Sequence, residues 1–228
     1  FSATTGEPSA ILRDEGWLTD MRTGLGGAIA TKALANEDAE KVLIIGSGIQ
    51  ARFQAKCLAS LMPSRSFNFN IWGRNEDAVK VLIEELRGQS LNADVAKNLD
   101  EQVSLADIII TTTPATSALF GDNLVKPGTH ITASGADTHG KQELPTSLIE
   151  SASLLVCDMM SQSLNHGEFQ VINDTNLSQK VLELGAILST SCAGRTSDND
   201  ITIADLTGIA AQDIAITRGI IDAAAFEK

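Results

Sequence analysis

The sequence is short of basic residues: 17 Lys and Arg stand against 29 Asp and Glu, a net charge of −12. A surface of that sign repels phosphate backbones and anionic membranes, so neither nucleic acid nor a membrane is an expected partner. Any anionic ligand must be held by local features that overcome the global field. Cysteine is scarce as well. Cys57, Cys157 and Cys192 are odd in number and far apart. They supply neither a disulfide framework nor a zinc pattern, and they read as reduced, mostly buried thiols. No set of His, Cys and carboxylates has metal spacing, so no metal is expected. Apolar runs long enough to cross a bilayer are missing, as is any stretch that reads as a signal peptide. A soluble, cytoplasmic protein is the expectation. Internal repeats and low-complexity segments are also lacking.

What is present is the composition of an ordinary folded protein, 43% hydrophobic and 20% charged over 228 residues. That is enough for one large domain, or one domain with part of another. Phe1 to Leu12 reads as strand, turn, strand, with Thr5-Gly6-Glu7-Pro8 supplying the turn chemistry. A strand that starts at the first residue suggests a chain that begins within a domain, and we read it as a fragment.

Thr23 to Ala35, rich in Ala, Gly and Leu, reads as a tightly packed helix. Lys41 to Ile45 is a short apolar run with the pattern of a strand buried on both faces. Gln50 to Met62 places Phe53, Cys57 and Leu61 at helical spacing, and Phe67, Phe69 and Ile71 alternate with asparagines as in a strand. Asn75 stands where a helix cap would, before Glu76 and Asp77, and that helix runs to about Arg87. Asp107 to Thr111, His130 to Ser134 and Leu154 to Cys157 are further strands. Strand and helix alternating at this interval predict an α/β fold, a doubly wound parallel Rossmann sheet. Gly208 to Phe226 carries Ala210, Ile214, Thr217 and Ile221 on one stripe and predicts a long amphipathic helix.

Gly46-Ser47-Gly48-Ile49-Gln50-Ala51 lies between a buried strand and a helix. Gly46 permits the tight turn, Gly48 lets the backbone approach a pyrophosphate, and Ala51 allows close helix-to-strand packing. The helix N-terminus offers N–H groups and a positive dipole end to the anion. The competing reading within the fold is a methyltransferase holding an adenosyl group. The next strand ends Ile71-Trp72-Gly73-Arg74-Asn75, without the carboxylate that meets a free ribose 2′-hydroxyl. A guanidinium there suits a 2′-phosphate, so NADP(H) is favoured and NAD(H) remains open. The plainer reading of Arg74 is a surface side chain beside a helix start.

Four stretches carry a resemblance: Leu18 to Thr23, the Gly46 loop continuing to Ala55, Gly135-Ala136-Asp137-Thr138-His139-Gly140-Lys141-Gln142-Glu143-Leu144, and Asp205-Leu206-Thr207-Gly208 followed by Gln212-Asp213. Together they resemble the ornithine cyclodeaminase and mu-crystallin family over nearly the whole chain. The resemblance implies a Rossmann NAD(P)-binding domain over residues 36–205. Residues 1–35 and 206–228 would be the remnant of a second α/β domain for dimerisation and substrate, and the full-length protein would be a homodimer. It implies that Arg22 clamps a substrate carboxylate and that Asp137 holds the substrate amino group or moves a proton. Thr112, Thr113 and Pro114 would lie along the nicotinamide half of the cofactor, with Leu206 and Thr207 near its ring. Plainer roles exist for each: Arg22 pairing with Asp20, and Asp137 as a turn residue. His139 is close to Asp137 but reads as solvated, and His130 and His166 have no visible partners.

Three functions follow from the resemblance. One is a reductase or dehydrogenase that moves a hydride between nicotinamide and the α-carbon of a small amino or imino acid, of ketimine reductase or alanine dehydrogenase type. The second is an ornithine cyclodeaminase that uses NAD and releases ammonia. The third is a non-catalytic binding protein of the mu-crystallin kind. The resemblance implies that the family's catalytic Lys and a second carboxylate-binding Arg belong to a segment before this chain. Lys32 and Lys141 are the only nearby substitutes, and Lys32 reads as solvated, so the isolated chain is expected to be inactive or nearly so.

Overall fold

A computed structural model describes residues 1–226. Eight strands are present among them: β1 Lys41–Ile45, β2 Asn68–Trp72, β3 Asn92–Val95, β4 Ile108–Thr111, β5 His130–Ala133, β6 Leu154–Cys157, β7 Leu182–Glu183 and β8 Thr202–Asp205. The helices are α1 Trp17–Leu34, α2 Ile49–Leu61, α3 Glu76–Gly88, α4 Leu99–Leu105, α5 Thr146–Ser151, α6 Met160–His166, α7 Leu184–Leu188 and α8 Ala210–Phe226. The strands form one sheet in the order β3-β2-β1-β4-β5-β8-β6-β7, and every pair is parallel. This is the doubly wound α/β fold.

The sheet is covered on both faces, and β1 shows how sequence does it. Val42 and Ile44 pack with Phe53, Leu58, Leu82 and Leu86 on one side. Leu43 and Ile45 pack with Val103, Ile131 and Phe169 on the other. A strand buried on both faces needs the unbroken apolar run seen here. Helix α1 closes on α2 through its glycines. A Cβ on Gly24 would lie 2.7 Å from the Phe53 carbonyl oxygen, and one on Gly27 would lie 2.0 Å from Gln54 Oε1. No helix among the described residues is long and apolar enough to cross a membrane.

Three expectations need correction. Residues 1–12 form no strand: the turn closes locally, with Gly6 N–H donating to the Ser2 carbonyl at 2.9 Å and Ser2 N–H to the Glu7 carbonyl at 2.8 Å, but no ladder extends beyond it. Phe1 and Ile11 are 89% and 80% exposed, and an isolated hairpin with no face to bury is marginal. Helix α8 forms, yet Ile214 of its stripe is 68% exposed. It meets the rest of the molecule at its first turn instead, where Gln212 and Asp213 bond Arg22. Strands β3, β7 and β8 escaped the periodicity argument. The first exposes three of its four residues, the second is two residues long, and the third begins and ends on buried polar side chains.

Candidate functional site

The chain leaves β3 at one edge and returns to the far side of β1 as β4, so crossovers run in opposite directions from the β1–β4 junction. At such a switch point a crevice opens outside the strands' carboxyl ends. Here it is a cleft of about 890 Å³ lined by Gly46–Gly48, Trp72–Asn75 and Thr112–Leu119. Among the described residues no Asp or Glu lines it, and Arg74 is the one formal charge.

The glycine loop supplies the floor. Gly46 has φ +132°, and a Cβ there would stand 2.2 Å from Thr112 Oγ1, so only glycine fits. Its N–H donates to the Trp72 carbonyl at 2.8 Å and ties the loop to β2. Gly48 differs: its backbone is extended, and an added Cβ would meet nothing within 4 Å. The fold does not require that glycine, whereas a bulky group seated on the loop would. Helix α2 starts without a side-chain cap and without an acidic residue in its first turn, which leaves its first N–H groups and dipole end free for an anion. Ala51 is fully buried. The Gln50 side chain turns away to donate to Asp20 Oδ1 at 2.9 Å. An open glycine, an uncapped helix end and an acid-free cleft fit a pyrophosphate-bearing dinucleotide.

At the end of β2, Asn75 caps α3 by accepting from the N–H groups of Asp77 and Ala78, each at 3.1 Å. Asp77 is exposed and pairs with Lys80 at 3.2 Å. Arg74 is exposed and makes no ion pair among the described residues. The cleft's far wall is Thr112, Thr113 and Pro114 together with Ala115–Leu119, which sequence reasoning had not included.

Asp137 lies on the turn after β5, and Lys141 approaches its Oδ1 at 2.5 Å, with Thr138 Oγ1 at 3.0 Å. Burial by itself would push this carboxyl up, but the bonds from Lys141 and Thr138 outweigh it and hold it below the usual carboxylate range. Arg22 stands on α1 with its Nε 3.0 Å from Asp213 Oδ1 and its Nη1 3.2 Å from Gln212 Oε1. Its partner is therefore Asp213 of α8, while Asp20 takes Gln50. Gly208, at φ +83°, packs so closely on this guanidinium that a Cβ would lie 2.5 Å from Nη1. Asp158 fixes the neighbouring strap, accepting from Thr207 Oγ1 at 3.0 Å and from Gly208 N–H at 2.6 Å. The Leu206 side chain is buried with Ala30, Leu34 and Val156, so it is packing in this chain.

The sequence-predicted residues thus fall into three groups: the cleft, the Arg22–Thr207–Gly208 strap, and the Asp137 turn. Behind them lie buried carboxyls that no motif marks in full. Glu168 accepts the N–H groups of Glu143 and Leu144, and burial pushes it up to about 8. Asp205 accepts from Ser163 and from Phe169 N–H, and burial pushes it up to about 7. His130 does have partners: its ring nitrogens meet Thr202 and Thr132 at 2.9 and 3.0 Å, and burial pushes it down to about 3. It is a core residue. Lys32 is exposed. Among the described residues no group of three or more His, Cys, Asp and Glu could hold a metal ion.

Comparison with known proteins places this arrangement. A curated relative, an uncharacterized cyclodeaminase of Sinorhizobium fredii, is 38% identical over 220 residues, covering 95% of this chain and 66% of the relative. The chain therefore spans about two thirds of the length of the curated relatives it matches. An archaeal alanine dehydrogenase, solved as a dimer with bound NAD, superposes with a TM-score of 0.90 at 32% identity over 99% of this chain and 70% of that one. The iminosuccinate reductase of Paracoccus denitrificans in complex with NAD+ gives a TM-score of 0.85 at 32% identity, over 92% and 65%. The profile of the ornithine cyclodeaminase/mu-crystallin family matches residues 1–228. The chain belongs to that family.

Proposed function

We propose that the chain is the dinucleotide-binding body of an NAD(P)-dependent oxidoreductase acting on a small amino or imino acid, of ketimine reductase or alanine dehydrogenase type. The observation that carries the proposal is the cleft: in a chain of net charge −12, the nucleotide-sized crevice at the switch point is lined by no carboxylate among the described residues. When bound, the nicotinamide would supply hydride exchange with the substrate α-carbon.

The chain's own residues would do the rest. Gly46–Gly48 and the first turn of α2 would hold the pyrophosphate, with Ala51 keeping helix and strand close. Thr112, Thr113 and Pro114 would flank the nicotinamide half, and Thr207 would lie near it. Arg22, braced by Gln212 and Asp213, would present its remaining donors to the substrate carboxylate. Asp137, kept ionised beside Lys141, suits holding an amino or iminium group better than donating a proton. Residues 36–205 would form the Rossmann domain, and residues 1–35 and 206–228 would belong to a second domain shared with a dimer partner. The exposed Ile214 and Ile221 on α8 support that division. The buried thiols Cys57 and Cys157 suit a cytoplasmic setting.

Arg74, exposed just beyond the end of β2, supports NADP(H) as the preferred cofactor. A second reading, NAD(H), is favoured by the alanine dehydrogenase and iminosuccinate reductase structures, which hold NAD and NAD+. Titration of the chain with NADPH and NADH at fixed ionic strength, following quenching of Trp72 in the cleft wall, separates the two. Tighter NADPH binding is expected; tighter NADH binding would move the reading to NAD(H), and binding of neither would sink the proposal.

A further inference from the structure

Glu143 is completely buried, six residues beyond Asp137, and its two oxygens serve different parts of the molecule. Oε1 accepts from Thr113 N–H at 2.6 Å and from Thr113 Oγ1 at 2.7 Å. Oε2 accepts from Gly135 N–H at 3.0 Å and from Thr111 Oγ1 at 2.6 Å. Thr113 belongs to the wall of the nucleotide cleft, and Gly135 opens the turn that carries Asp137. One rigid carboxylate therefore holds a main-chain N–H of each. Gly135 also packs directly on that wall: a Cβ there would lie 2.2 Å from the Thr113 carbonyl oxygen and 2.6 Å from Glu143 Cδ. The carboxylate cannot shift to accommodate movement of one loop alone, because Glu168 pins the main chain beneath it. Its oxygens accept Glu143 N–H at 2.6 Å and Leu144 N–H at 3.1 Å.

We propose that Glu143 is a positioning residue that couples the two sites, so that seating a dinucleotide against Thr113 also orders the Asp137 turn through the bond to Gly135. The inference rests on the dinucleotide reading of the cleft. Order of binding follows from it: the acid that meets the substrate is in place once the cofactor is, and the substrate favours the cofactor-bound form by the same factor.

Glu143→Gln tests this with little change in volume. The threonine hydroxyls can rotate to face an amide NH2, but a backbone N–H cannot turn into an acceptor. Whichever way the Gln amide sits, its nitrogen opposes the N–H of either Thr113 or Gly135, and one end of the link is released. The readout is amide hydrogen exchange at residues 135–138 with and without saturating NADPH, alongside exchange at residues 46–51. In the native chain NADPH should slow exchange at 135–138 about fivefold or more, the low end of usual coupling between sites. In Glu143→Gln that slowing should largely vanish while slowing at 46–51 persists. A merely structural role would raise exchange at 135–138 equally with and without ligand, leaving the ligand-dependent ratio unchanged, and that result overturns the proposal. If Glu143→Gln does not fold, Thr111→Val removes one donor at constant size, and it should reduce the ratio in part; an unreduced ratio there also overturns it. Native chain that binds NADPH at 46–51 without slowing 135–138 defeats the coupling alone. Native chain that binds no dinucleotide defeats the cleft reading and the coupling together.

Discussion

Among the described residues, the cleft on the β2-β1-β4 side of the sheet's carboxyl edge is lined by main-chain amides, hydroxyls, the Asn75 carboxamide and one guanidinium; the β5-β8-β6 side gathers three buried carboxyls. Glu143, Glu168 and Asp205 are each fully buried, and each is bonded to donors inside the protein. Three acids of one side are turned inward, and the cleft on the other is lined by none among the described residues. That division explains how a chain of net charge −12 can keep a cleft suited to an anion. Burial adds to the effect: with its pKa raised to about 8, Glu168 is mostly protonated near neutrality, and Asp205, raised to about 7, is only partly ionised. The contrast is repeated at the two helix ends beside the cleft. Helix α2 is uncapped and free of acids in its first turn, whereas α3 is capped by Asn75 and begins Glu76-Asp77.

Moving a carboxylate from one side to the other is the strongest way to break the comparison. Gly48→Glu places one at the open end of α2, where the fold leaves room for a side chain. Dinucleotide affinity should fall by at least about a hundredfold, near 3 kcal/mol, with circular dichroism unchanged. Calorimetric titration checks this, and an unaltered Kd in a folded variant would mean the pyrophosphate does not sit on this loop. A smaller effect follows at Arg74, the single charge among the described residues that line the cleft. Arg74→Asp should weaken NADPH about tenfold while sparing or improving NADH, since it exchanges a charge-assisted bond for repulsion. Equal losses for both cofactors would mean that Arg74 does not touch the 2′-phosphate.

The two sides also differ in how far they can be read from the chain alone. The cleft is legible because its demands are local. Gly46 needs a positive φ, the run Val42–Ile45 needs two apolar faces, and Asn75 needs only the N–H groups two and three residues on. The carboxyl side depends on partners far along the chain. Strand β8 ends in Asp205, bonded to Ser163 and Phe169, and starts at Thr202, bonded to His130 and Arg195. No periodicity reveals a strand whose polar ends are satisfied by His130, Ser163 and Phe169, all more than thirty positions away. Glu143 entered only inside a family motif, and Glu168 carried no signal at all. The error at residues 1–12 has the opposite cause: good turn chemistry was present, but no strand edge was there to receive its flanks.

The carboxyl side is tested through pH. Asp205 has a folded pKa of about 7, raised by burial from an ordinary value of 3.8. Its contribution to stability is therefore fully present below the unfolded value and is lost as pH rises through 7. Between pH 6 and 8.5 the loss is about 1.4 kcal/mol, a few degrees in Tm for a chain of this size. In Asp205→Asn, where nothing ionises, that part of the decline should disappear while contributions from the other groups remain. Parallel Tm-against-pH curves for the two proteins would mean that Asp205 is ionised throughout, and the carboxyl side would then carry more charge than the comparison allows.

The smallest expected effect distinguishes capping from ligand binding at Asn75, which lines the cleft and yet spends its side chain on Asp77 and Ala78. Asn75→Ala removes the cap and should cost about 1 kcal/mol of stability. Asn75→Asp keeps the cap, because aspartate accepts the same N–H groups equally well, but it brings a negative charge to the cleft. Denaturant midpoints should therefore rank Asn and Asp together above Ala. NADPH affinity should rank Asn and Ala together above Asp. A ranking in which Ala loses more affinity than Asp would mean that the side chain meets the cofactor directly, and that the closed helix end is part of the binding surface after all.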